Sequence, residues 1–260
     1  MNILETIAEA TRKRVAEAEK NKSLEEIKAD ALSMCCDTDF PFEKALSGND
    51  IAFICECKKA SPSKGVIAED FPYLQIAKDY ELAGASAISV LTEPQWFMGS
   101  NEYLKDISSS VNIPCIRKDF TVSEYMIYEA KTLGASAVLL ICSILGEDKL
   151  MEYIKICDTL GLSALIEAHD EDEINMAIRA GARIIGVNNR DLKTFTVDVH
   201  NSERNRKLVP KDIIFVAESG IKTGDDIDVL RKAEVNAVLI GETLMRAADK
   251  TAELKALRGY

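Results

Sequence analysis

From Ile51 onward the chain repeats one pattern: a short apolar run, a few polar loop residues, then a stretch with helical spacing. The apolar runs are 52–57, 87–91, 114–117, 137–142, 163–167, 184–187, 213–217 and 237–240, eight in all. They are continuously apolar rather than alternating, as strands buried on both faces must be. Four runs follow similar lead-ins: Ala83-Gly84-Ala85-Ser86, Leu133-Gly134-Ala135-Ser136, Ala180-Gly181-Ala182-Arg183 and Ala233-Glu234-Val235-Asn236. Glycine at such a point ends a helix in left-handed geometry and returns the chain to the sheet. Helices are predicted between the runs, one ending over 79–83 and others over 124–133, 148–160, 171–180 and 223–232. Eight βα units suit closure into a (β/α)8 TIM barrel. The competing open doubly wound sheet usually carries a Gly-x-Gly-x-x-Gly loop; none follows these runs, and no Gly-x-x-x-x-Gly-Lys-Ser/Thr loop is present either.

Residues 1–48 read differently, as an N-terminal helical extension of a single barrel domain spanning 1–260. Ile3, Leu4, Ile7 and Ala8 recur at helical spacing, followed by Val15 and Ala16, and a second helix is predicted over 23–34, with Ser23 as cap and Glu26 three residues on. With 260 residues, 47% of them hydrophobic, the chain can bury a full core without disulfide or metal staples. Seven cysteines, an odd number lying mostly in apolar runs such as those holding Cys55, Cys57, Cys115 and Cys142, read as reduced thiols of a cytoplasmic protein. No signal-peptide core and no apolar segment long enough to span a membrane is present. Acidic residues number 43 against 32 basic ones, a formal charge of −11, which argues against a nucleic-acid or anionic-membrane surface. A small anionic substrate is still compatible with a locally positive pocket, and the acidic surface leaves monomer and homodimer open.

Position is more informative than composition. Polar residues crowd the C-terminal ends of the predicted strands, which in a barrel open onto one catalytic face. Glu56 and Lys58 end the first strand, Lys118 the third, Glu167 the fifth, Asn188 and Arg190 follow the sixth, and Glu218 follows the seventh. Buried charges cost energy unless paired, so an array of this kind points to chemistry rather than stability. Lys118 is the candidate acid: a lysine in a dry pocket or near other cations loses proton affinity. Glu167 is its candidate partner, and Arg190 offers a fork for a carboxylate. Ser219-Gly220 and Gly241-Glu242, at the ends of strands seven and eight, form a candidate phosphate corner, with the Glu242 side chain expected to turn away. His169 lies past its strand in a His-Asp-Glu-Asp-Glu run that reads as a helix start with Asp170 as cap, which assigns it to structure. Trp96-Phe97-Met98 reads as core or as a pocket lid, and its place after Thr92-Glu93-Pro94 favours a loop over the barrel mouth. Two distant histidines and scattered carboxylates make no metal-ligand cluster.

The chain resembles the indole-3-glycerol-phosphate synthase family over nearly its whole length. The resemblance rests on Glu56-Cys57-Lys58-Lys59-Ala60-Ser61-Pro62-Ser63-Lys64-Gly65, Leu91-Thr92-Glu93, Ile116-Arg117-Lys118-Asp119-Phe120, Gly186-Val187-Asn188-Asn189-Arg190-Asp191-Leu192, Ala217-Glu218-Ser219-Gly220-Ile221 and Leu239-Ile240-Gly241-Glu242-Thr243-Leu244-Met245. It implies a (β/α)8 barrel with an N-terminal helical segment. The reaction it implies converts 1-(2-carboxyphenylamino)-1-deoxyribulose 5-phosphate to indole-3-glycerol phosphate, with loss of carbon dioxide and water and with neither metal nor organic cofactor. By the same resemblance Lys118 is the general acid of ring closure, Glu167 the acid–base carboxylate, and Glu56 the group that holds and tunes the lysines. Lys58 contacts substrate and takes part in dehydration, Asn188 and Glu218 orient hydroxyls, and Arg190 with Lys58 recognises the carboxylate. Ser219, Gly220, Gly241 and Glu242 hold the phosphate, with Ser61 beside the mobile first loop, and Phe120 lines the aromatic part of the pocket. Ser123, Met126 and Lys131 depart from the family's common pattern on a helix away from this chemistry, where they bear on packing or a subunit contact. The rival readings are another phosphate-handling barrel, such as a phosphoribosyl isomerase, and a silent barrel serving as a binding partner.

Overall fold

The computed structural model describes residues 3–190, 196–198 and 200–259. Eight parallel strands form a closed barrel: β1 (Ala52–Cys57), β2 (Ala87–Leu91), β3 (Cys115–Lys118), β4 (Ala137–Ile141), β5 (Ser163–Ala168), β6 (Ile184–Asn188), β7 (Ile214–Glu218) and β8 (Ala237–Ile240). Each pairs with its neighbours in sequence, and β1 closes the ring on β8 through Ala52–Ala237 to Cys55–Ile240. β1, β2 and β8 span the predicted residues, and the others differ by single residues at their ends. Cys142, expected to end a strand, instead starts the helix Cys142–Leu160, which is interrupted at Gly146, where φ is 72°.

Strand periodicity sorts each run into two faces. Ala52, Ile54, Ile116, Leu139, Leu165 and Val216 pack inside the barrel, while Phe53, Cys55, Cys115, Val138, Ile166 and Phe215 pack outward against the helices. Carried on by two residues, the inward face of these strands ends in Glu56, Lys118, Glu167 and Glu218. The repeated lead-ins behave as expected: Gly84, Gly134 and Gly181 are left-handed (φ 89°, 83° and 87°), and Glu234 takes the same backbone (φ 59°) without being glycine.

The N-terminal segment forms three helices, α1 (Ile3–Asn21), α2 (Leu24–Ser33) and α3 (Pro41–Leu46). Ser23 and Glu26 make the predicted reciprocal cap: the Glu26 carboxylate accepts the Ser23 N–H at 2.8 Å and the Ser23 hydroxyl accepts the Glu26 N–H at 3.3 Å. From α3, Phe42 and Leu46 are fully buried in the same cluster as the inward residues of the barrel strands, so the segment is part of the core. Glu43 receives the Arg183 guanidinium at 2.9 Å and the Ser163 hydroxyl at 3.1 Å. The departures from the family pattern have packing roles. Lys131 is buried and donates to the Cys35 carbonyl at 2.7 Å, Ser123 caps its helix by accepting the Tyr125 N–H at 3.2 Å, and Met126 is buried in the core, its backbone carbonyl accepting from Arg117 at 2.9 Å.

Adjacent residues of β3 have opposite fates. Lys118 points into the barrel, whereas Arg117 lies under the outer helices, donating to Thr92 (3.1 Å), Asn101 (2.9 Å) and Glu129 (2.7 Å) as well as to Met126. Its guanidinium is fully engaged by structure. Replacing it by Met leaves Glu129 without its buried cation and the Thr92, Asn101 and Met126 acceptors without their donor, so Arg117→Met is expected to lower the unfolding free energy by about 3–5 kcal/mol. Urea denaturation measures this, and a loss below about 1 kcal/mol would make the network expendable.

Candidate active site

A cavity of about 600 Å³ opens above the inward ends of the strands. Every residue nominated from the sequence lines it: Glu56, Lys58, Ser61, Lys118, Phe120, Glu167, Asn188, Arg190, Glu218, Ser219, Gly220, Gly241 and Glu242. Asp191 and Leu192 of the sixth-strand motif lie outside the described residues.

The floor of the cavity is charged. Lys118 Nζ lies 3.6 Å from a carboxylate oxygen of Glu167 and 3.6 Å from one of Glu218. Lys58 pairs with Glu56 at 2.5 Å. Asn188 donates its amide to Glu167 at 3.3 Å and accepts the Arg190 backbone N–H at 3.0 Å. Two glycines make room for this cluster. A Cβ at Gly186 would stand 2.2 Å from Glu218 Oε1, and one at Gly241 would stand 2.3 Å from Glu56 Oε2 and 2.8 Å from Lys58 Nζ.

The proton affinities diverge. Burial alone would push Lys118 down, as expected for a dry pocket, but Glu218, Glu167 and Glu56 outweigh it and hold the ammonium above its ordinary range. The expected loss of proton affinity is therefore reversed, because the neighbours of Lys118 are carboxylates rather than cations. Burial also works against the Glu167 carboxylate, yet Lys118, His169 and Asn188 bring it down to about 2. Glu218 goes the other way: burial, helped by the charges of Glu167 and Glu56, raises it to about 8 against the opposing pull of Lys118. Its buried Oε1 has no hydrogen-bond partner among the described residues. Two carboxylates on one lysine thus sit in different protonation states near neutrality.

The walls come from three loops and the N-terminal segment. Glu93 accepts the backbone N–H groups of Gln95 (2.9 Å), Trp96 (2.7 Å) and Phe97 (3.0 Å), folding the loop after β2 so that Phe97 reaches the mouth, its ring 6.0 Å from that of Phe120. Ile3, Leu4 and Ile7 of α1 add an apolar wall that the sequence did not reveal. The helix is docked by Arg14, which grips both oxygens of buried Asp119 (2.8 and 2.9 Å) and donates to the Thr92 carbonyl at 3.2 Å. Asp119 directly follows Lys118, but nothing in the local pattern announces a partner 105 residues away.

Opposite lies a polar corner. Ser219 and Gly220 take consecutive left-handed backbones (φ 69° and 82°), and Asn189 donates to the Ser219 carbonyl at 3.1 Å. A left-handed serine is unusual, and such geometry concentrates at functional sites. Glu242 does not turn away as expected. Its carboxylate stays on the cavity, where Arg246 (3.2 Å), Lys64 of the first loop (3.5 Å) and Arg190 (3.9 Å) converge on it. The corner gathers several cations within an acidic chain. Among the described residues no group of three or more His, Cys, Asp or Glu side chains is arranged to hold a metal, and no helix is long and apolar enough to cross a membrane.

Residues 4–257 match the family model described as indole-3-glycerol phosphate synthase. A protein of that name from Ruminiclostridium cellulolyticum is 59% identical over 257 residues, covering 99% of each chain. Another from Endomicrobium trichonymphae is 53% identical over 98% of this chain and 99% of its own. Among solved structures, a 3-hexulose-6-phosphate synthase superposes with a TM-score of 0.65 at 14% identity, over 80% of this chain and 99% of that one. A thiamine phosphate pyrophosphorylase from Pyrococcus furiosus gives 0.62 at 15%, over 84% and 96%. At these identities the two structures speak for the barrel alone.

The raised Glu218 has a consequence for stability. An unfolded glutamate titrates near its ordinary 4.5, and Glu218 in the barrel titrates near 8. The folded state therefore holds the proton more tightly, and the stability this contributes is lost as pH rises from the first value through the second. Glutamine mimics the protonated acid. The stability of Glu218→Gln relative to the parent should therefore increase with pH across that window, measured by urea denaturation at several pH values; a constant difference would contradict a protonated Glu218.

Proposed function

The chain belongs to the indole-3-glycerol phosphate synthase family, and from that premise we propose how its barrel mouth performs the family's reaction. The enzyme converts 1-(2-carboxyphenylamino)-1-deoxyribulose 5-phosphate to indole-3-glycerol phosphate, releasing carbon dioxide and water. The observation that carries the assignment of roles is Lys118, a buried ammonium between Glu167 and Glu218 at 3.6 Å from each.

Ring closure needs an aromatic carbon to attack a keto carbon whose oxygen is being protonated. Lys118 is the proton donor: its carboxylate neighbours keep it charged, so its proton is present when substrate arrives. The keto oxygen becomes a hydroxyl, the new carbon–carbon bond forms at the ring carbon bearing the carboxylate, and loss of carbon dioxide returns its bonding electrons to the ring. Water then leaves from the former keto carbon as a proton is removed from the adjacent methylene. Glu167, ionised down to about 2, is the base for this step. Lys58, tethered by Glu56, faces the same space and assists departure of the hydroxyl. Preorganised charge in a site closed by α1 and the first loop supplies the electrostatic part of catalysis.

Substrate position follows from the walls. Phe97 and Phe120 flank the aromatic ring, Arg190 with Lys58 receives the carboxylate, and Asn188 and Glu218 orient the hydroxyls. Ser219, Gly220, Gly241 and Glu242 form the phosphate corner, the glycines and the Glu242 N–H admitting the anion, with Ser61 beside it. On phosphate binding, Lys64 and Arg190 exchange the Glu242 carboxylate for the substrate's anions. Seven free cysteines, five of them buried, fit a reducing cytoplasm.

Incubating the purified protein with the carboxyphenylamino substrate should produce indole fluorescence; absence of product would overturn the assignment. Lys118→Ala should lower turnover by about 10²–10⁴-fold while leaving the far-UV circular dichroism near the parental spectrum, with a lower urea midpoint because Glu167 loses a buried cation. Unchanged turnover would remove Lys118 from the acid's role.

A further inference from the structure

His169, which the local sequence assigns to a helix start, sits directly behind Glu167. Its Nε2 is 3.4 Å from Glu167 Oε1, and its Nδ1 is 3.0 Å from Glu173 Oε2. Glu173 is itself fixed. Its backbone N–H is capped by Asp170 at 2.9 Å, its Oε2 also accepts the His169 backbone N–H at 2.9 Å, and its carbonyl accepts the Cys142 thiol at 3.5 Å. We propose that His169 is a positioning residue of the reaction: it bridges the helix carboxylate Glu173 to Glu167, fixing the direction of the Glu167 carboxylate and keeping it ionised until it takes the substrate's proton. This rests on the reading of Glu167 as the acid–base carboxylate.

The surroundings leave the ring one arrangement. Nδ1 meets Glu173 within hydrogen-bond distance and Nε2 faces Glu167 at ion-pair range without a hydrogen bond, so the doubly protonated ring is the form that both carboxylates favour. Burial opposes the cation, yet Glu167 and Glu173 outweigh it and raise the imidazole to about 10. The other groups near the pair are accounted for. Lys118 and the neutral Asn188 reach Glu167 from β3 and β6, Glu56 adds negative charge from β1, and Glu218 on β7, raised by burial, keeps its proton near neutrality. The Cys142 thiol, pushed up to about 12 by burial and by Glu173, Glu167 and Asp170, stays neutral beside the histidine. Of the two cations on Glu167, Lys118 lines the cavity and has a substrate oxygen to serve, whereas His169 is not among the lining residues. When Lys118 turns to the substrate, His169 is the cation that stays.

The coupling must be reciprocal. The chain has two histidines, so the His169 ring signal is identified in the proton NMR spectrum by its loss in His169→Gln. Glu167→Gln is expected to lower the pH at which that ring titrates by about one unit or more, since an opposite charge at this range shifts a titration by that amount. In kinetics, His169→Gln keeps an N–H donor but no charge. Its kcat should fall up to about a hundredfold, and its kcat/KM relative to the parent should fall further toward acid pH, because Glu167 then takes a proton more readily. Glu173→Gln, which keeps the imidazole and the cap, should show the same slope more weakly and guards against a fold defect in the histidine variant. Taking ratios cancels the ionisation of the substrate. If Glu167→Gln is inactive while the His169 titration is unmoved and both ratios are flat with pH, the positioning role is overturned and the reading of Glu167 survives. If Glu167→Gln retains parental turnover, both fall.

Discussion

The molecule is organised around the problem of keeping Lys118 charged inside a barrel. An ammonium removed from water must be repaid by opposite charge at close range, and too much opposite charge creates the same problem with reversed sign. The structure balances the two. With Glu218 raised to about 8 and therefore protonated at neutrality, the cations Lys58, Lys118 and His169 face the anions Glu56, Glu167 and Glu173 one for one. Glu56, Lys118 and Glu167 sit at strand tips that continue inward apolar rows and form the top layer of the barrel's own packing, while Glu173 reaches the cluster from the helix Glu171–Arg179.

That placement explains why so much of the site could be read from sequence. Eight apolar runs with polar ends define a barrel and its catalytic face, and a period of two assigns Glu56, Lys118, Glu167 and Glu218 to the inside. The lead-ins explain even their own exception: Glu234 occupies the left-handed position that glycine holds in Gly84, Gly134 and Gly181. What could not be read depends on distances across the barrel. Gly186 and Gly241 look like ordinary strand and turn glycines, and only the approach of Glu218 and Glu56 reveals that they are spaces reserved for carboxylates. The direction of the Lys118 shift is hidden from the sequence for the same reason, since three of its neighbours arrive from β1, β5 and β7. Arg14 on Asp119 and His169 between two glutamates are likewise contacts whose partners local patterns do not name.

The N-terminal segment joins both ends of the barrel. α1 closes the mouth from above with Ile3, Leu4 and Ile7 and is pinned through Arg14 to the residue after Lys118. α3 closes the opposite end with Phe42 and Leu46. Substrate enclosure and core packing are therefore served by one stretch of chain, and the loop after β2, shaped by Glu93, meets it at the mouth.

The plug formed by Phe42 and Leu46 also bears on how the protein assembles. These side chains leave the ribosome early, yet the buried cluster they belong to includes Ala137, Ile184, Val216 and Ala237, which emerge much later. Until the last strand is made, two large apolar groups have no permanent shelter, and the half-built barrel has no stopper. Closing the ring and seating the plug thus belong to the final event of folding, and the nascent chain spends most of its synthesis with sticky surface at its oldest end, where chaperone capture has the most to protect.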